Sequence, residues 1–292
     1  LGIRGALEAL LPDPPLEISA VSLSTTLATN AVVEGQGSSI CLILIGYDPY
    51  MLSDAGLERI LNPEDIVFVQ GGHKPNGEEE APLDIDGARQ AILAHKSRVA
   101  AFASSGYFSV RNPTHELQVQ RLVRDLTNLP VTCGHELSTQ LHAPRRALTA
   151  ALNARLIPLL QQLIVAVQNT LTNIGIHAPL MVVKGDGSLI SAKMALERPV
   201  ETILSGPAAS VIGARYLTNV DSAFVIDMGG TTTDIAALRD GRPALNLNGA
   251  WVGGWQTMVE AIDDRTTGLG GDSEVRIDEA GKLCVGPKQV IP

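Results

Sequence analysis

The stretch Ala223-Phe-Val-Ile-Asp-Met-Gly-Gly-Thr-Thr-Thr-Asp234, followed by Ile235-Ala-Ala-Leu238, decides the fold of this chain. The three apolar residues before Asp227 predict a buried strand. Two glycines then turn the chain, three threonines favour extended backbone, and residues 235–238 predict the return strand. The sequence therefore predicts a strand-turn-strand unit with a carboxylate at each end of its turn. A P-loop would need a lysine and a helix after the glycines, and neither follows them.

The residue types in this turn suit a phosphate group and a divalent cation. Glycine has no Cβ, so its backbone N–H group can approach an anion closely, and threonine hydroxyls add donors. A carboxylate at a strand end can hold Mg²⁺ through water beside phosphate oxygens. The alternative is a plain tight turn whose polar residues face solvent. We favour a binding site, with Asp227 as the metal candidate and, for phosphate, Gly229, Gly230, Thr231, Thr232 and Thr233, while Asp234 holds either the hairpin or the metal shell.

Composition narrows the class of protein. The chain has 292 residues, of which 45% are apolar and 3% aromatic, which is typical of an aliphatic α/β protein with two domains or one and a part. A net charge of −9 without a basic block argues against nucleic acid or an anionic membrane as the main partner. The three cysteines lie far apart, so we expect neither disulfides nor structural zinc, and we expect a reducing, cytoplasmic compartment. The longest apolar run, residues 156–167, is too short to span a bilayer.

The order of the predicted elements favours an α/β fold with parallel strands, because strands and helices alternate through residue 217. An Asp-Gly turn at residues 240–241 predicts a third strand near residues 244–247, and a glycine cluster follows at residues 268–272. The earlier strands are predicted at residues 18–23, 40–45, 66–69, 98–103, 131–133 and 180–183. Helices are predicted at residues 2–11, from a hydroxyl-rich turn at 24–30 to residue 34, at 49–61, 85–94, 114–126 and 144–173, and from Ser205.

A helix of small residues, Gly206-Pro-Ala-Ala-Ser-Val-Ile-Gly-Ala214, leads into the strand and the Asp-x-Gly-Gly-Thr turn. That order resembles the connecting helix and second phosphate loop of the actin-like ATPase superfamily. Within it, the chain resembles the ATP-dependent hydantoinase A/5-oxoprolinase family. The residues that carry the resemblance are Thr25-Thr26, Ala28-Thr29-Asn30-Ala31, Arg111-Asn112-Pro113, His115-Glu116, His135-Glu136, Ser205-Gly-Pro-Ala208, Asp227-Met-Gly-Gly-Thr231, Thr233-Asp234 and Gly268 with Gly270-Gly271.

The resemblance implies an actin-like ATPase, ribonuclease-H-like architecture, in which two lobes close over ATP and Mg²⁺. Residues 1–218 would form most of the first lobe, ending in the connecting helix but without its N-terminal phosphate hairpin. Residues 219–292 would only begin the second lobe. The family's first hairpin is expected before the strand at residues 18–23, and no such motif precedes that strand here. We therefore expect this chain to carry part of an ATP site and to be inactive alone.

The activity that the resemblance implies is ATP-dependent opening of a cyclic amide, such as a hydantoin or 5-oxoproline ring, through a phosphorylated lactam. An unstrained lactam is a poor electrophile, and transfer of the γ-phosphoryl group to its oxygen would expose the ring carbon to water. Asp227 is then the candidate for placing Mg²⁺ and the attacking oxygen. A partner subunit of the hydantoinase B type is also implied. Gly134 stands where the family tends to have serine, and Ala147-Leu148 replaces a Thr/Ser-rich segment, and both departures bear on the substrate pocket.

Several residues outside the hairpin have both a functional and a structural interpretation. His135 follows a short strand, where a neutral imidazole can act as a catalytic base or metal ligand, or be a hydrogen-bonded structural residue. His115-Glu116 is predicted to lie on a helix surface, with a structural role. Thr26 and Asn30 either line the cleft that holds substrate or cap a helix.

Three glycines and one turn complete the candidates. Through the resemblance, Gly206 at the start of the connecting helix is a candidate for nucleotide binding. Gly270 and Gly271 form either a backbone site near the reacting groups, open to substrate, or a flexible loop. Lys184-Gly-Asp-Gly187 follows a strand, where α/β proteins often place ligands, although a Gly-Asp-Gly turn needs no function.

Three other functions are consistent with the same sequence. The first is ATP-dependent carboxylation of a ketone on the same scaffold, which only the residues of the substrate pocket would distinguish. The second is a sugar-kinase-like phosphotransferase, which would require a catalytic aspartate near the cleft in the first lobe and a sugar-binding loop. The third is a non-catalytic nucleotide-binding module, which the lack of the first hairpin favours.

Overall fold

The computed structural model describes Gly5, Ala9, residues 18–52 and residues 56–290. The helix predicted over residues 2–11 falls outside this described part, except that Gly5 and Ala9 are both helical. The other elements form an α/β structure, as predicted. The lobe boundary after residue 218 and the actin-like architecture stay predictions.

The bounds of the elements follow the predicted order closely. The helices are α1 (Leu27–Val33), α2 (Ile85–His95), α3 (Thr114–Leu126), α4 (Gly134–Leu137), α5 (Ala143–Asn173), α6 (Ala192–Glu197) and α7 (Ser205–Thr218). The strands that precede α7 are β1 (Val21–Leu23), β2 (Ile40–Ile45), β3 (Ile66–Val69), β4 (Ala101–Gly106), β5 (Val131–Cys133), β6 (Leu180–Val183) and β7 (Leu189–Ser191). The later strands are β8 (Ala223–Met228), β9 (Thr233–Arg239), β10 (Arg242–Pro243), β11 (Leu245–Asn246), β12 (Trp251–Val252), β13 (Trp255–Gln256), β14 (Ala261–Ile262), β15 (Asp264–Thr267), β16 (Ser273–Ile277) and β17 (Leu283–Gln289).

Strands β3, β2, β4 and β5 form, in that order, a parallel sheet with helices on both faces. All six residues of β2 are buried, which explains its uninterrupted apolar sequence. Leu42 and Leu44 pack in one core cluster with residues of α5. Ile43 and Ile45 pack on the opposite face with residues of α2 and α3, because successive residues of a strand point to opposite faces.

A smaller sheet pairs β1 with β6 in parallel and β6 with β7 in antiparallel orientation. Leu180 and Val182 of β6 pack against Leu160 and Ile164 of α5 in a third core cluster. The parallel pairing predicted from the alternation of strands and helices is therefore confirmed in both sheets.

Helix α5 joins these layers. It runs unbroken through Pro158 and contributes residues to two of the core clusters. Its length and its mean hydropathy of 1.5 over the most apolar window would allow it to cross a membrane, but 56% of that window is buried inside the protein. We therefore describe α5 as a core helix.

Helix α7 leads directly into the hairpin of β8 and β9, and β15 and β10 pair with the other edge of β9. The prediction that the apolar residues of β8 are buried is wrong. Phe224 and Ile226 are 79% and 63% exposed, and Val225 is half-buried. Strand β8 pairs with β9 alone, and only its Val225 face packs against the core, so no described element covers the opposite face.

Two other predicted elements differ from the structure. In the described parts of the segment predicted as one helix over residues 49–61, which are 49–52 and 56–61, the structure has the short 3-10 helices Pro49–Leu52 and Leu57–Arg59. Gly56 lies between them with φ at 62°, in the left-handed region, where a right-handed helix cannot continue. The strand predicted near residues 244–247 is present as the short strands β10 and β11.

Candidate functional site

The hairpin of β8 and β9 has the predicted turn. Asp227 pairs with Asp234, and Met228 pairs with Thr233, so residues 229–232 form the loop. The Gly229 N–H group donates to the Thr232 carbonyl at 2.9 Å and closes it. Both carboxylates therefore stand at the base of a four-residue turn.

The exposed part of this turn has free donors. Within the described part of the chain, the backbone N–H groups of Gly230, Thr231 and Thr232 donate to no other residue. Successive free N–H groups in a turn form an anion-binding concavity. The turn can therefore accept a phosphate oxygen without breaking an existing hydrogen bond.

The second glycine cluster packs directly onto this turn. The Gly271 N–H group donates to the Gly229 carbonyl at 2.9 Å, and the Asp272 N–H group donates to the Gly230 carbonyl at 2.8 Å. Gly270 is buried, and a Cβ on it would lie 2.2 Å from the Gly230 carbonyl oxygen. Only glycine permits this close approach, and the hydrogen bonds hold the turn by its carbonyls and leave its N–H groups free.

A group of carboxylates lies on one face of the same sheet. Asp227 is exposed and accepts a hydrogen bond from Ser210 Oγ at 2.6 Å, and Asp234 accepts one from Thr266 Oγ1 at 2.6 Å. Burial, together with the charge of Asp234, raises the pKa of Asp264. Like charges so close cost stability unless a cation relieves them, and Mg²⁺ prefers carboxylate and water oxygens. The donor set therefore fits Mg²⁺.

The start of α7 contacts the threonine-rich segment before α1. Ser205 Oγ donates to the Thr25 carbonyl at 2.9 Å, and a Cβ on Gly206 would lie 3.6 Å from Thr26 Cγ2. Thr26 does not cap α1 through its side chain, and it accepts a weak hydrogen bond from Asn30 Nδ2 at 3.4 Å.

Helix α7 links that segment to the hairpin. Gly206 and Ser210 are one helical turn apart, or about 6 Å along the axis. Thr26 lies beside Gly206, where an added Cβ would be in van der Waals contact with it, and Ser210 donates a hydrogen bond to Asp227. The structure therefore brings Thr26, Asn30 and Gly206 to one end of the helix that supports the metal candidate.

His135 lies in a different place, at the start of the short helix α4. Its Nδ1 is 2.5 Å from Glu116 Oε2, and its backbone N–H group donates to the same oxygen at 3.0 Å. Glu116 is fully buried, and its Oε1 accepts from the Gly106 N–H group at 2.6 Å. This arrangement orients the imidazole and leaves its Nε2 without a hydrogen-bond partner among the described residues.

A metal ion does not fit beside this histidine in the observed arrangement. Ligand atoms of Glu116, Cys133 and His135 lie within 4.8 Å of one another. However, both oxygens of Glu116 already accept hydrogen bonds, and burial raises the pKa of the Cys133 thiol, which disfavours the thiolate that binds metals. The geometry suits an oriented imidazole better than a metal ligand.

The prediction that His115 and Glu116 lie on a helix surface is wrong, because both are buried at 3% and 0% exposure. His115 Nδ1 accepts from the Gly72 N–H group at 3.0 Å, and its Nε2 lies 2.9 Å from Glu79 Oε1. These two residues therefore link two other segments to α3. His115 binds the loop before α2, and Glu116 binds Gly106 at the end of β4.

His135 shares a cavity of about 330 Å³ with the turn that follows β6. Lys184 in that turn binds Asp186 at 3.1 Å and Glu201 at 3.3 Å. Burial works to lower the pKa of Lys184, but the carboxylates of Glu201 and Asp186 outweigh it and raise that pKa. None of the hairpin residues lines this cavity, so His135 and the hairpin form separate sites within the described chain.

Sequence reasoning missed Ser210, Asp264, Thr266 and Glu201. Ser210 lies one helical turn after Gly206, a spacing that could have placed it on the same face. Asp264 and Thr266 alternate along one strand, which could have placed both on one face of a sheet. Glu201 has no comparable signal, because its partner Lys184 is distant in sequence.

The fold and the site together define a class of protein. It is an α/β protein with a glycine turn between two carboxylates, suited to phosphate and a divalent cation. Family models place the chain more narrowly. The model of the hydantoinase/oxoprolinase N-terminal region matches residues 1–127, and the hydantoinase/oxoprolinase model matches residues 146–290. The chain belongs to the hydantoinase/oxoprolinase family, which confirms the resemblance found in its motifs.

Individual relatives show the same family with different activities. The chain is 29% identical to caprolactamase subunit alpha of Pseudomonas jessenii, over 90% of this chain and 41% of that relative. It is 26% identical to the acetophenone carboxylase gamma subunit of Aromatoleum aromaticum, over 97% of this chain and 42% of that relative. The crystal structure of the ATP-dependent caprolactamase from Pseudomonas jessenii matches with a TM-score of 0.83 and 26% identity, over 99% of this chain and 45% of that one. The chain thus spans less than half the length of these relatives.

Proposed function

We propose that this chain contributes the phosphate and metal site of an enzyme that opens a cyclic amide with ATP. The observation that carries the proposal is the hairpin turn, with three free N–H groups between Asp227 and Asp234. A triphosphate and Mg²⁺ are the ligands that such a turn suits best. The ATP-dependent caprolactamase among the similar structures supports the choice of a lactam as the second substrate.

Each residue of the hairpin has a distinct task in this proposal. Asp227, oriented by Ser210, would hold Mg²⁺ and orient the attacking oxygen. The N–H groups at residues 230–232 bind phosphate oxygens and stabilise the charge that develops during phosphoryl transfer. Asp234, held by Thr266, completes the carboxylate group around the cation. When bound, Mg²⁺ neutralises phosphate charge during transfer of the γ-phosphoryl group to the lactam oxygen.

His135 is the candidate for moving a proton in the same enzyme. Its Nδ1 is occupied by Glu116, so its Nε2 is the atom available to take a proton from water. Because the cavity at His135 is separate from the hairpin, this role would require substrate to reach from one site to the other. A partner subunit, which the names of the relatives suggest, would complete the enclosure around it.

The acetophenone carboxylase gamma subunit among the relatives supports a second candidate function, ATP-dependent carboxylation of a ketone. The phosphate and metal site would be the same in both reactions. Only the second substrate differs, a lactam in the first and a ketone with bicarbonate in the second.

Phosphate release by the full-length protein with its partner subunit tests the proposal. Candidate substrates are 5-oxoproline, hydantoin, caprolactam, and acetone with bicarbonate. Asp227→Asn should lower the substrate-stimulated rate roughly 10- to 100-fold, as loss of an outer-shell metal partner does. Glu279→Gln is a matched control, because it removes one charge from an exposed turn outside the site.

The outcomes separate the candidates. Stimulation by a lactam but not by acetone supports the amidohydrolase, and the reverse supports the carboxylase. If no substrate raises the rate above that of Asp227→Asn, a non-catalytic nucleotide-binding module replaces both. An unchanged kcat for His135→Gln would remove that histidine from catalysis.

A further inference from the structure

An apolar cavity of about 560 Å³ lies beside the first turn of α5. None of the hairpin residues lines it, and it is distinct from the cavity at His135. Its volume is in the range of sites for small organic molecules. Its walls include the apolar residues Tyr107, Phe108, Leu141 and Pro144 and the polar residues His142 and Arg146.

Arg146 in this wall is a buried cation without an anionic partner. Its side chain is 1% exposed, and it forms no ion pair with any described carboxylate. Its Nη1 and Nη2 atoms donate only to the carbonyls of Gln140 and Gly106, at 3.3 and 3.0 Å. Its Nε has no acceptor at all among the described residues. A buried charge with so few partners is costly, which points to a counter-ion that binds there.

Neither Glu116 nor Tyr47 forms a direct ion pair with this guanidinium. Glu116 is linked to Arg146 only through the Gly106 peptide, and its two oxygens already accept from Gly106 and His135. Tyr47 donates to the carbonyl of Ala143 beside Arg146, and burial raises the pKa of its phenol, which keeps it neutral. Among the described residues, a direct anionic partner for the guanidinium is therefore left to an external group.

A second buried polar atom without a hydrogen-bond partner lies close to Arg146. Ser109 is 2% exposed, and its Oγ has no partner among the described residues. Its backbone N–H group donates to the Gly106 carbonyl, the acceptor that Arg146 also uses. In the described chain, the buried side-chain atoms without a hydrogen-bond partner are Ser109 Oγ and Arg146 Nε, and both belong to residues that contact Gly106.

The wall of the cavity also contains strained backbone. Phe108 and His142 have φ values of 55° and 108°, in the left-handed region that bulky residues rarely adopt. Of the five described non-glycine residues with positive φ, these two line this cavity. Such strain persists only where the surroundings impose it, and it clusters at ligand sites.

We propose that this cavity binds a small organic monocarboxylate with an apolar or ring-shaped body. The carboxylate accepts hydrogen bonds from the Arg146 guanidinium, which matches its planar, bidentate geometry. The apolar body packs against Tyr107, Phe108 and Leu141. A neutral amide would fill the same space and accept one hydrogen bond, but it would leave the buried charge uncompensated.

Calorimetric titration of the full-length protein, without nucleotide, tests this site with benzoate, acetate and benzamide. Benzoate should bind saturably and roughly tenfold more tightly than benzamide, because a charge-assisted pair is the stronger one. Acetate should bind more weakly than benzoate, since it lacks the body that fills the cavity. The titration contains no ATP, so a lack of benzoate binding would not bear on the proposed function. In the same way, a negative phosphate-release assay would not bear on this cavity.

Two variants connect the binding to the cavity. Arg146→Lys keeps the charge but loses the planar fork, and should weaken benzoate roughly tenfold. Leu141→Trp fills the cavity from its rim and should weaken benzoate while the protein stays folded, because Leu141 is 52% exposed. Leu189→Trp is its matched control, at 51% exposure in β7, and should bind like the wild type.

Several results would overturn the proposal. They are the lack of saturable benzoate binding, equal affinity for benzamide, or unchanged affinity in Leu141→Trp with its fold verified by circular dichroism. Any of these would mean that the fold holds Arg146 without a carboxylate ligand.

Discussion

Gly270 packs so closely against the hairpin turn that the site depends on its lack of a side chain. A Cβ at this position would lie 2.2 Å from the Gly230 carbonyl oxygen and 2.7 Å from the Thr231 carbonyl carbon, and neither backbone atom can yield easily. Gly270→Ala should therefore push the glycine cluster off the hairpin turn. We expect a loss of stability of about 1–3 kcal/mol, as for other overpacked sites, and loss of substrate-stimulated phosphate release.

Gly268→Ala is the matched control for this change. A Cβ on Gly268 would meet nothing within 4 Å, and its φ is not in the left-handed region. Urea denaturation and phosphate release should therefore differ little from those of the wild type. Equal behaviour of the two alanine variants would show that the contact between the glycine segments does not support the site.

His135 and Glu116 show what a sequence can and cannot reveal about single residues. The position of His135 after a short strand is visible in the sequence, and its catalytic role stays a prediction. The burial of Glu116 had no sequence signal, because its partners at Gly106 and His135 come from other elements. Arg146 was equally hidden, since arginine usually lies at a surface and only the tertiary structure buries it.

At the scale of elements, strands β9 and β15 bring two carboxylates together. Asp264 lies opposite Ala236, and Asp234 lies opposite Thr266, so the two aspartates are diagonal neighbours on one face. The raised pKa of Asp264 means that the folded chain binds its proton more tightly than the unfolded chain does. Ionised Asp264 therefore destabilises the fold above its folded-state pKa, and the penalty fades as the pH falls through that value.

Asp264→Asn should stabilise the protein at pH 7 by removing this penalty. Burial of the carboxylate and the charge of Asp234 both contribute to the penalty, and like charges alone cost ~0.2–1 kcal/mol, which sets the scale of the expected gain. The gain should shrink as the pH falls and vanish near the ordinary pKa of 3.8, where the wild-type carboxyl is protonated in both states. Denaturation curves at several pH values measure it, and Asp125→Asn on the exposed face of α3 is the control. A gain that stays constant down to pH 4 would contradict the assignment.

Elements were predictable where local pattern and tertiary packing agree. Strands β2, β3, β5 and β6 and helix α3 occupy their predicted residues, because their apolar spacing matches their burial. At β8 the predicted strand is present, but the predicted burial of its apolar residues is wrong, because they lie on an edge strand with one bare face. The prediction failed over residues 49–61, where a single left-handed glycine outweighs a helical pattern. Burial and backbone strain depend on distant residues, which a local pattern does not contain.

At the scale of the whole molecule, the described chain combines a complete parallel sheet with a hairpin whose outer face is bare. The parallel sheet is covered on both sides by α2, α3 and α5. The hairpin is supported on one side by α7, and Phe224 and Ile226 face outward on the other. The phosphate and metal candidates therefore lie in a weakly enclosed part of the described structure.

This openness predicts how the 292-residue chain binds nucleotide by itself. One glycine turn with three free N–H groups can contact part of a triphosphate, and the net charge of −9 opposes an anionic ligand unless Mg²⁺ accompanies it. Much of the nucleotide would remain in water, so few interactions would offset the entropy lost on binding. We therefore expect MgATP to bind weakly or undetectably in a calorimetric titration of this chain, with a Kd no tighter than about 1 mM. The full-length protein is the control, and there Asp227→Asn should weaken MgATP binding roughly 10- to 100-fold. A micromolar Kd for the isolated chain would contradict the prediction, since it would mean that this hairpin and its neighbours already form a complete ATP site.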